Sequence, residues 1–137
     1  MTVEYKIIEE KKLVIVKALG TVTDKEILDY LDNLASDERY IAPMKKLVDF
    51  SLTEKVAKTY VGAVDVANRK KRHNEKFIGE KCAFVAPSDL TYGMSRMHQA
   101  LMEETGGNIE VFRRIEQALE WLDVQLDKSL ENWLTET

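Results

Sequence analysis

Short apolar runs alternate along the chain with longer segments of helical periodicity, and this alternation restricts the folds that the chain can adopt. Apolar runs predict five strands, at residues 3–8, 13–16, 46–50, 80–86 and 108–113. The first two are joined by a short polar turn, so they should pair as an antiparallel hairpin. Each later strand follows a helical segment, and such crossovers produce parallel neighbours. The sequence therefore predicts an α/β fold with a mostly parallel five-stranded sheet, in which the first strand is antiparallel.

About four helices should cover this sheet. Thr23 and Glu26 have the spacing of a capping box, which indicates the start of the first helix. Residues 56–73 and 89–105 predict the second and third helices, and the glycines at 106–107 should end the third. The residues expected to face the core are Val56, Tyr60, Val61, Val64 and Ala67 in the second helix, and Leu90, Met94, Met97 and Leu101 in the third.

The apolar pattern of the C-terminal segment continues without an obvious stop. It predicts one helix over residues 116–134, roughly 28 Å long at 1.5 Å per residue. Its outer end would need a partner, so we predict a homodimer that buries Leu126, Leu130 and Trp133 between chains. In the alternative, residues 127–129 break the helix and the tail folds back onto its own core. We divide the chain into an α/β domain at residues 1–126 and a helical extension of that domain at residues 127–137.

The composition excludes several classes of site. The single cysteine, Cys82, allows neither an intrachain disulfide nor a cysteine-based metal cluster, and no phosphate-binding glycine motif or paired-histidine motif occurs. We therefore expect no cofactor and no metal. The basic run at residues 69–73 lies where a helix ends, a position that favours cations, and the net charge is −4. We predict no nucleic-acid or membrane partner and, because no signal-peptide pattern opens the chain, a cytoplasmic location.

Ligands of parallel α/β sheets bind beyond the carboxyl ends of the strands, so a site should lie at that edge. Arg113 there should pair with Asp49 or Asp89, while Gly93 inside a helix suggests that a neighbour approaches closely. Capping by Ser88 or Asp89, and bonding of Asp49 within its own loop, are the structural alternatives. The histidines lie well inside helices, so we assign no catalytic residue. The candidate ligand-binding or partner-binding residues are Asp49, Ser51, Asp89, Tyr92, Gly93, Arg96 and Arg113.

Several segments together resemble the SpoIIAA-like or STAS-like proteins, in particular small members described as STAS/Sec14-like. The matching segments are residues 13–16 with Gly20, 47–50, 83–87, 92–97, 111–113 and 118–122. The resemblance covers about residues 3–123 and implies the same α/β fold. It also implies regulation by phosphorylation of a serine in an Asp-Ser-Ser-Gly turn, but that turn is missing here, and Ser51 and Thr53 are the nearest hydroxyl groups.

The sequence leaves two main hypotheses for function. The first is a non-enzymatic binding or regulatory module of STAS-like type, which contacts a protein through the strand-end loops and the Tyr92–Arg96 face. The alternative is a protein that binds a small apolar or anionic ligand at the same edge of the sheet. An enzyme of unrecognised type is a third hypothesis, and no sequence motif names its reaction.

Overall fold

The computed structural model describes residues 2–57 and 60–137 and contains an α/β fold built on a five-stranded sheet. In chain order, the strands and helices are β1 (Val3–Ile8), β2 (Leu13–Ala18), β3 (Gly20–Thr23), α1 (Asp24–Ala35), β4 (Lys45–Asp49), β5 (Thr53–Ala57), α2 (Tyr60–Arg72), β6 (Lys81–Val85), α3 (Asp89–Leu101), β7 (Asn108–Phe112), α4 (Ile115–Leu122) and α5 (Lys128–Thr135). Short 3₁₀ turns occupy Glu9–Lys11 and Glu103–Thr105.

The five strands lie in the order β1-β2-β4-β6-β7, and only the β1–β2 pair is antiparallel among them. The number of strands and their directions are those that the sequence predicted. The β2 run is buried along its whole length, because the strand has neighbours on both sides and helices over both faces. All parallel strands end at the same edge, where β4, β6 and β7 lead into their following loops.

A second, two-stranded parallel sheet formed by β3 and β5 was not predicted. The helix predicted over residues 56–73 begins only at Tyr60, because Val56 lies in β5 and pairs with Val22 of β3. Val61 is exposed, so its predicted inward orientation is wrong, while Ala67 is buried as predicted. The side chain of Tyr60 lies outside the described residues. The capping box at α1 is confirmed, since the Thr23 hydroxyl accepts from the Glu26 N–H at 3.3 Å.

Two apolar cores lie on opposite faces of the sheet. Helices α1, α2 and α3 cover one face, and α4 and α5 cover the other. Strand β4 contributes to both cores because its side chains alternate, with Val48 in the first core and Leu47 in the second. No helix in the described part of the chain is both long and apolar enough to cross a bilayer.

The single helix predicted over residues 116–134 is wrong. Helix α4 ends at Leu122, and Asp123 takes a left-handed conformation with φ 55°. Helix α5 then starts at Lys128, and the side chain of its N-cap Asp127 accepts from the Leu130 N–H at 2.9 Å. Leu130 and Leu134 are buried in the core beneath α4, as the fold-back alternative expected.

The same fold-back removes the exposed stripe on which the homodimer prediction depended. Leu130 is buried within its own chain, and Leu126 and Trp133 pack partly against the same core. The buried Lys17 donates to the carbonyl oxygens of Trp133 at 2.6 Å and Glu136 at 3.0 Å, which fixes the tail to β2. The homodimer itself stays a prediction.

Candidate functional site

An anchored arginine joins the end of β7 to the start of α3. Arg113 Nη1 lies 2.9 Å from Asp89 Oδ1 and donates to the Pro87 carbonyl oxygen at 3.1 Å. Its guanidinium carbon lies 4.1 Å from the centroid of the Tyr92 ring, in a cation–π contact. Both charged side chains remain open to solvent, so their interaction mainly sets the direction of the arginine rather than stabilising the fold.

The local sequence explains why Asp89 is available to Arg113. Ser88 is the N-cap of α3, since its hydroxyl oxygen accepts from the Thr91 N–H at 3.1 Å. The Ala86 N–H donates to the Phe112 carbonyl oxygen at 2.8 Å and holds the ends of β6 and β7 together. The capping alternative is therefore correct for Ser88, and the ion pair of Arg113 is made with Asp89 and not with Asp49.

Asp49 and Ser51 form a closed turn of their own. Asp49 is buried, and its Oδ1 accepts from the Ser51 N–H at 2.9 Å and from the Ser51 hydroxyl at 2.5 Å. Burial raises the pKa of the Asp49 carboxyl, and the hydrogen bonds from Ser51 oppose that effect. The structure thus brings Asp89, Tyr92 and Arg113 together and leaves Asp49 to bond within its own loop.

Helix α3 faces the sheet only in part as its apolar pattern predicted, with Met94 packed against the core. Leu90 and Met97 were expected to face the sheet, but they are 57% and 39% exposed. The residues that α3 buries almost completely are polar, Thr91 at 1% and Ser95 at 2% exposure. Because Leu90 and Met97 are seven residues apart, they lie on one outer face of the helix.

Gly93 lies on this same outer face, between Leu90 and Met97. Among residues 2–57 and 60–137, nothing lies within 4 Å of a Cβ atom at Gly93, so the expectation that a neighbour within this part of the chain approaches it is wrong. Arg96 is also exposed on α3. We use the name α3 face for the surface formed by Leu90, Gly93, Arg96 and Met97.

A buried cluster of charged side chains lies beneath α2, and the sequence interpretation missed it. Lys46 Nζ lies 3.1 Å from Glu80 Oε1, and Lys70 Nζ hydrogen-bonds to the same oxygen. Tyr40 donates its hydroxyl to Glu80 Oε2 at 2.6 Å. Lys46 was the one residue that could have indicated this cluster from the sequence. It alternates with Leu47 in β4, and because β4 is central in the sheet, both of its faces are covered and the Lys46 side chain must be buried.

The pKa values in this cluster follow from burial and mutual charge. Burial alone would raise the pKa of Glu80, but the charges of Lys46 and Lys70 outweigh it and lower that pKa to about 2. Burial lowers the pKa of Lys70 to about 8 although Glu80 opposes it. Burial also acts to lower the pKa of Lys46, but the charge of Glu80 outweighs burial and raises the pKa of Lys46 well above its ordinary value.

Basic side chains at the end of α2 pair with carboxylates of the same chain. Arg69 and His73 both contact Asp32, the latter at 2.9 Å, and Lys71 lies 2.5 Å from Glu104. Within residues 2–57 and 60–137, no group of three or more His, Cys, Asp or Glu side chains is arranged to hold a metal ion.

Comparison with known proteins identifies the fold. No model of a known protein family matches the sequence, and no curated protein matches it. A solved structure of an uncharacterized DUF3478-family protein with a SpoIIAA-like fold, from Shewanella loihica, is 20% identical, has a TM-score of 0.58, and is matched over 88% of this chain and 93% of that one. The anti-sigma factor antagonist SpoIIAA in its unphosphorylated form is 10% identical, with a TM-score of 0.50 and coverage of 90% and 99%. The chain has a SpoIIAA-like fold, as the resemblance implied.

Proposed function

We propose that this protein is a non-enzymatic, cytoplasmic regulatory module that binds a partner protein through the α3 face and the adjacent Arg113. The observation that carries the proposal is the orientation of α3, which exposes Leu90 and Met97 while it buries Thr91 and Ser95. A helix that merely covered a sheet would gain more free energy by burying the two large apolar side chains. Large apolar side chains exposed on one face of a helix favour an interaction site there.

The shape of the α3 face suits a protein partner. Gly93 leaves open space between Leu90 and Met97, so an apolar side chain of the partner can reach the helix backbone there. Because Leu90 and Met97 are only 57% and 39% exposed, covering each of them contributes roughly 1 kcal/mol. Arg113 is held in place by Asp89 and Pro87, so little side-chain entropy is lost when a partner contacts it.

The fold comparison supports a regulatory role in general terms. The structure described as SpoIIAA is named an anti-sigma factor antagonist, and that name concerns SpoIIAA and its own partner. At a sequence identity of 10%, the similarity supports a shared fold but does not indicate that the two proteins bind the same partner. We therefore define the partner by chemistry alone, as a protein that places an apolar side chain over Gly93.

The alternative function, binding of a small ligand at this edge of the sheet, has less support. Arg113 already interacts with Asp89, so an anion would have to compete with that carboxylate. Asp49 is buried and accepts its hydrogen bonds from Ser51, which leaves it poorly placed to receive a ligand.

Matched surface variants test the proposal. We would express the tagged full-length protein in its natural host and measure co-purified proteins by quantitative mass spectrometry. The test variant carries Leu90→Glu and Met97→Glu. The control carries Ile41→Glu and Ile78→Glu, which replace two exposed apolar residues in loops before β4 and β6, at the opposite edge of the sheet.

We expect at least one protein that the parent and the control retain and that the α3 variant loses by roughly tenfold or more, equivalent to about 1.4 kcal/mol. Retention of every partner by the α3 variant would contradict the proposal, as would a parent that co-purifies nothing above background. If the lost partner is a second copy of the chain, the α3 face is a dimer interface and the proposed regulatory partner is wrong.

A further inference from the structure

A small cavity lies between the sheet and helices α1, α2 and α3, away from the surface that we propose for protein binding. Its volume is about 60 Å³. Apolar side chains form most of its wall, and the ammonium-bearing Lys46 and Lys70 also line it. The apolar lining comes mainly from Val16, Val48, Phe50, Val66, Phe84 and Met94.

The charges at this cavity do not balance. Two ammonium groups, of Lys46 and Lys70, share a single carboxylate oxygen of Glu80. Tyr30 and Cys82 are neutral at pH 7, and burial raises their pKa values further, to about 12 and about 11. With both lysines protonated, the buried cluster carries one excess positive charge, which is costly in an apolar interior unless an anion compensates it.

An unsatisfied hydroxyl lies in the same wall. Ser95 on α3 is 2% exposed, and within the described part of the chain its Oγ has no hydrogen-bond partner. Buried hydroxyl groups normally form at least one hydrogen bond, because leaving one unpaired costs about 1–3 kcal/mol. Ser95 therefore faces the cavity, where its hydroxyl can donate a hydrogen bond to a bound molecule.

The size of the cavity restricts what can fill it. A water molecule needs about 10–15 Å³ measured in this way, so the cavity has room for roughly four water-sized groups. A fatty acid or a nucleotide is too large. A compact molecule with an anionic end and a short apolar end satisfies the lysines, Ser95 and the apolar wall together.

We propose that this cavity binds a short-chain monocarboxylate, with the carboxylate at Lys46, Lys70 and Ser95 and the apolar end against Val16 and Phe50. The carboxylate supplies the missing negative charge and accepts a hydrogen bond from Ser95. Charge-assisted hydrogen bonds of this kind are stronger than neutral ones, so the charge of the ligand should dominate recognition.

Three probes of similar size separate charge from shape. Sodium propionate, 1-propanol and propylamine hydrochloride would be titrated into the full-length ¹⁵N-labelled protein, and amide shifts followed by NMR. Propionate should give saturable shifts centred on Ser95 and Val48, and the other two compounds should give none at the same concentrations. Binding of propanol as tight as that of propionate would overturn the proposal, as would propionate shifts confined to the Arg113 region.

Two variants and one control locate the site. Lys70→Met leaves Lys46 and Glu80 as a balanced pair and should weaken propionate binding by at least about tenfold. Lys71→Met, on the same helix but outside the cavity, should bind as the parent does. Ser95→Leu fills the cavity with a larger side chain and should abolish binding. If Lys70→Met does not fold, Ser95→Leu still decides: unchanged propionate binding to that variant would refute the cavity as the site.

Discussion

Replacing Glu80 by Gln removes the one negative charge that Lys46 and Lys70 share, while the amide keeps nearly the same shape. The Gln carbonyl can still accept the hydrogen bond that Tyr40 now donates to Glu80. The substitution therefore changes charge much more than packing. It leaves two buried ammonium groups beside each other without a counter-charge.

The structure gives the size of the effect in two ways. A pKa of about 2 for Glu80, in place of the ordinary 4.5, corresponds to roughly 3 kcal/mol of stability at neutral pH. The side chain is only 6% exposed, so solvent screening reduces this little. Removing one partner from a buried ion pair costs about 3–5 kcal/mol in general. We expect Glu80→Gln to lower the free energy of unfolding by about 3 kcal/mol at pH 7.

Urea unfolding followed by circular dichroism measures this difference. Glu104→Gln is the matched control, because Glu104 pairs with Lys71 at the surface and should contribute less than about 1 kcal/mol. The pKa of Glu80 is lower in the folded state than in the unfolded state, so its stabilising contribution is complete above pH 4.5 and is lost as the pH falls toward 2. The gap between parent and Glu80→Gln should close over that interval. A gap below 1 kcal/mol at pH 7, or one that stays constant as the pH falls, would refute the reasoning.

Three further predictions concern single residues. Asp49→Asn should be at least as stable as the parent at pH 7, because burial raises the pKa of Asp49 and makes its ionised form costly. Any gain should vanish as the pH falls through that raised pKa, and a clearly lower melting temperature at pH 7 would count against it. Leu134→Ala should cost about 2–5 kcal/mol in urea unfolding, since Leu134 is buried in the core, and a loss under 1 kcal/mol would mean that α5 is not docked. Gly93→Ala should raise stability by up to about 1 kcal/mol, because its Cβ meets none of the described residues, whereas destabilisation would indicate a neighbour at this position.

The five strands and their directions were predictable because strand and helix periods differ and because crossover connections make successive strands parallel. The order of the strands was not predicted. The run at residues 13–16 predicted a strand that pairs with the first, and β2 indeed pairs with β1 on one side and with β4 on the other. The short β3–β5 pair could not be predicted, since Thr53–Ala57 also fits the first turn of a helix and only its pairing with Gly20–Thr23 decides between them.

The errors at α3 and at the C-terminus have a common origin. Apolar spacing shows that Leu90 and Met97 share a face but not whether that face turns inward, and Thr91 and Ser95 occupy the buried side instead. At the C-terminus the spacing continued through residues 123–127, although a left-handed Asp123 and a capping Asp127 end one helix and begin the next. The contact of Arg113 with Asp89 could be foreseen, because both residues follow the ends of parallel strands. The Lys46–Glu80–Lys70 cluster could not be foreseen, because its prediction requires the strand order.

Photo-crosslinking from the α3 face tests the proposed function most directly. A benzophenone amino acid would replace Met97 in one version of the full-length protein and Ile78 in another, each irradiated in the natural host. Both positions are exposed, at 39% and 63%, but they lie on different surfaces. We predict a discrete crosslinked partner protein from position 97 that is absent from position 78 and that disappears when Leu90→Glu is added. Crosslinks that are absent from position 97, or identical from both positions, would contradict the assignment of the α3 face as the binding surface.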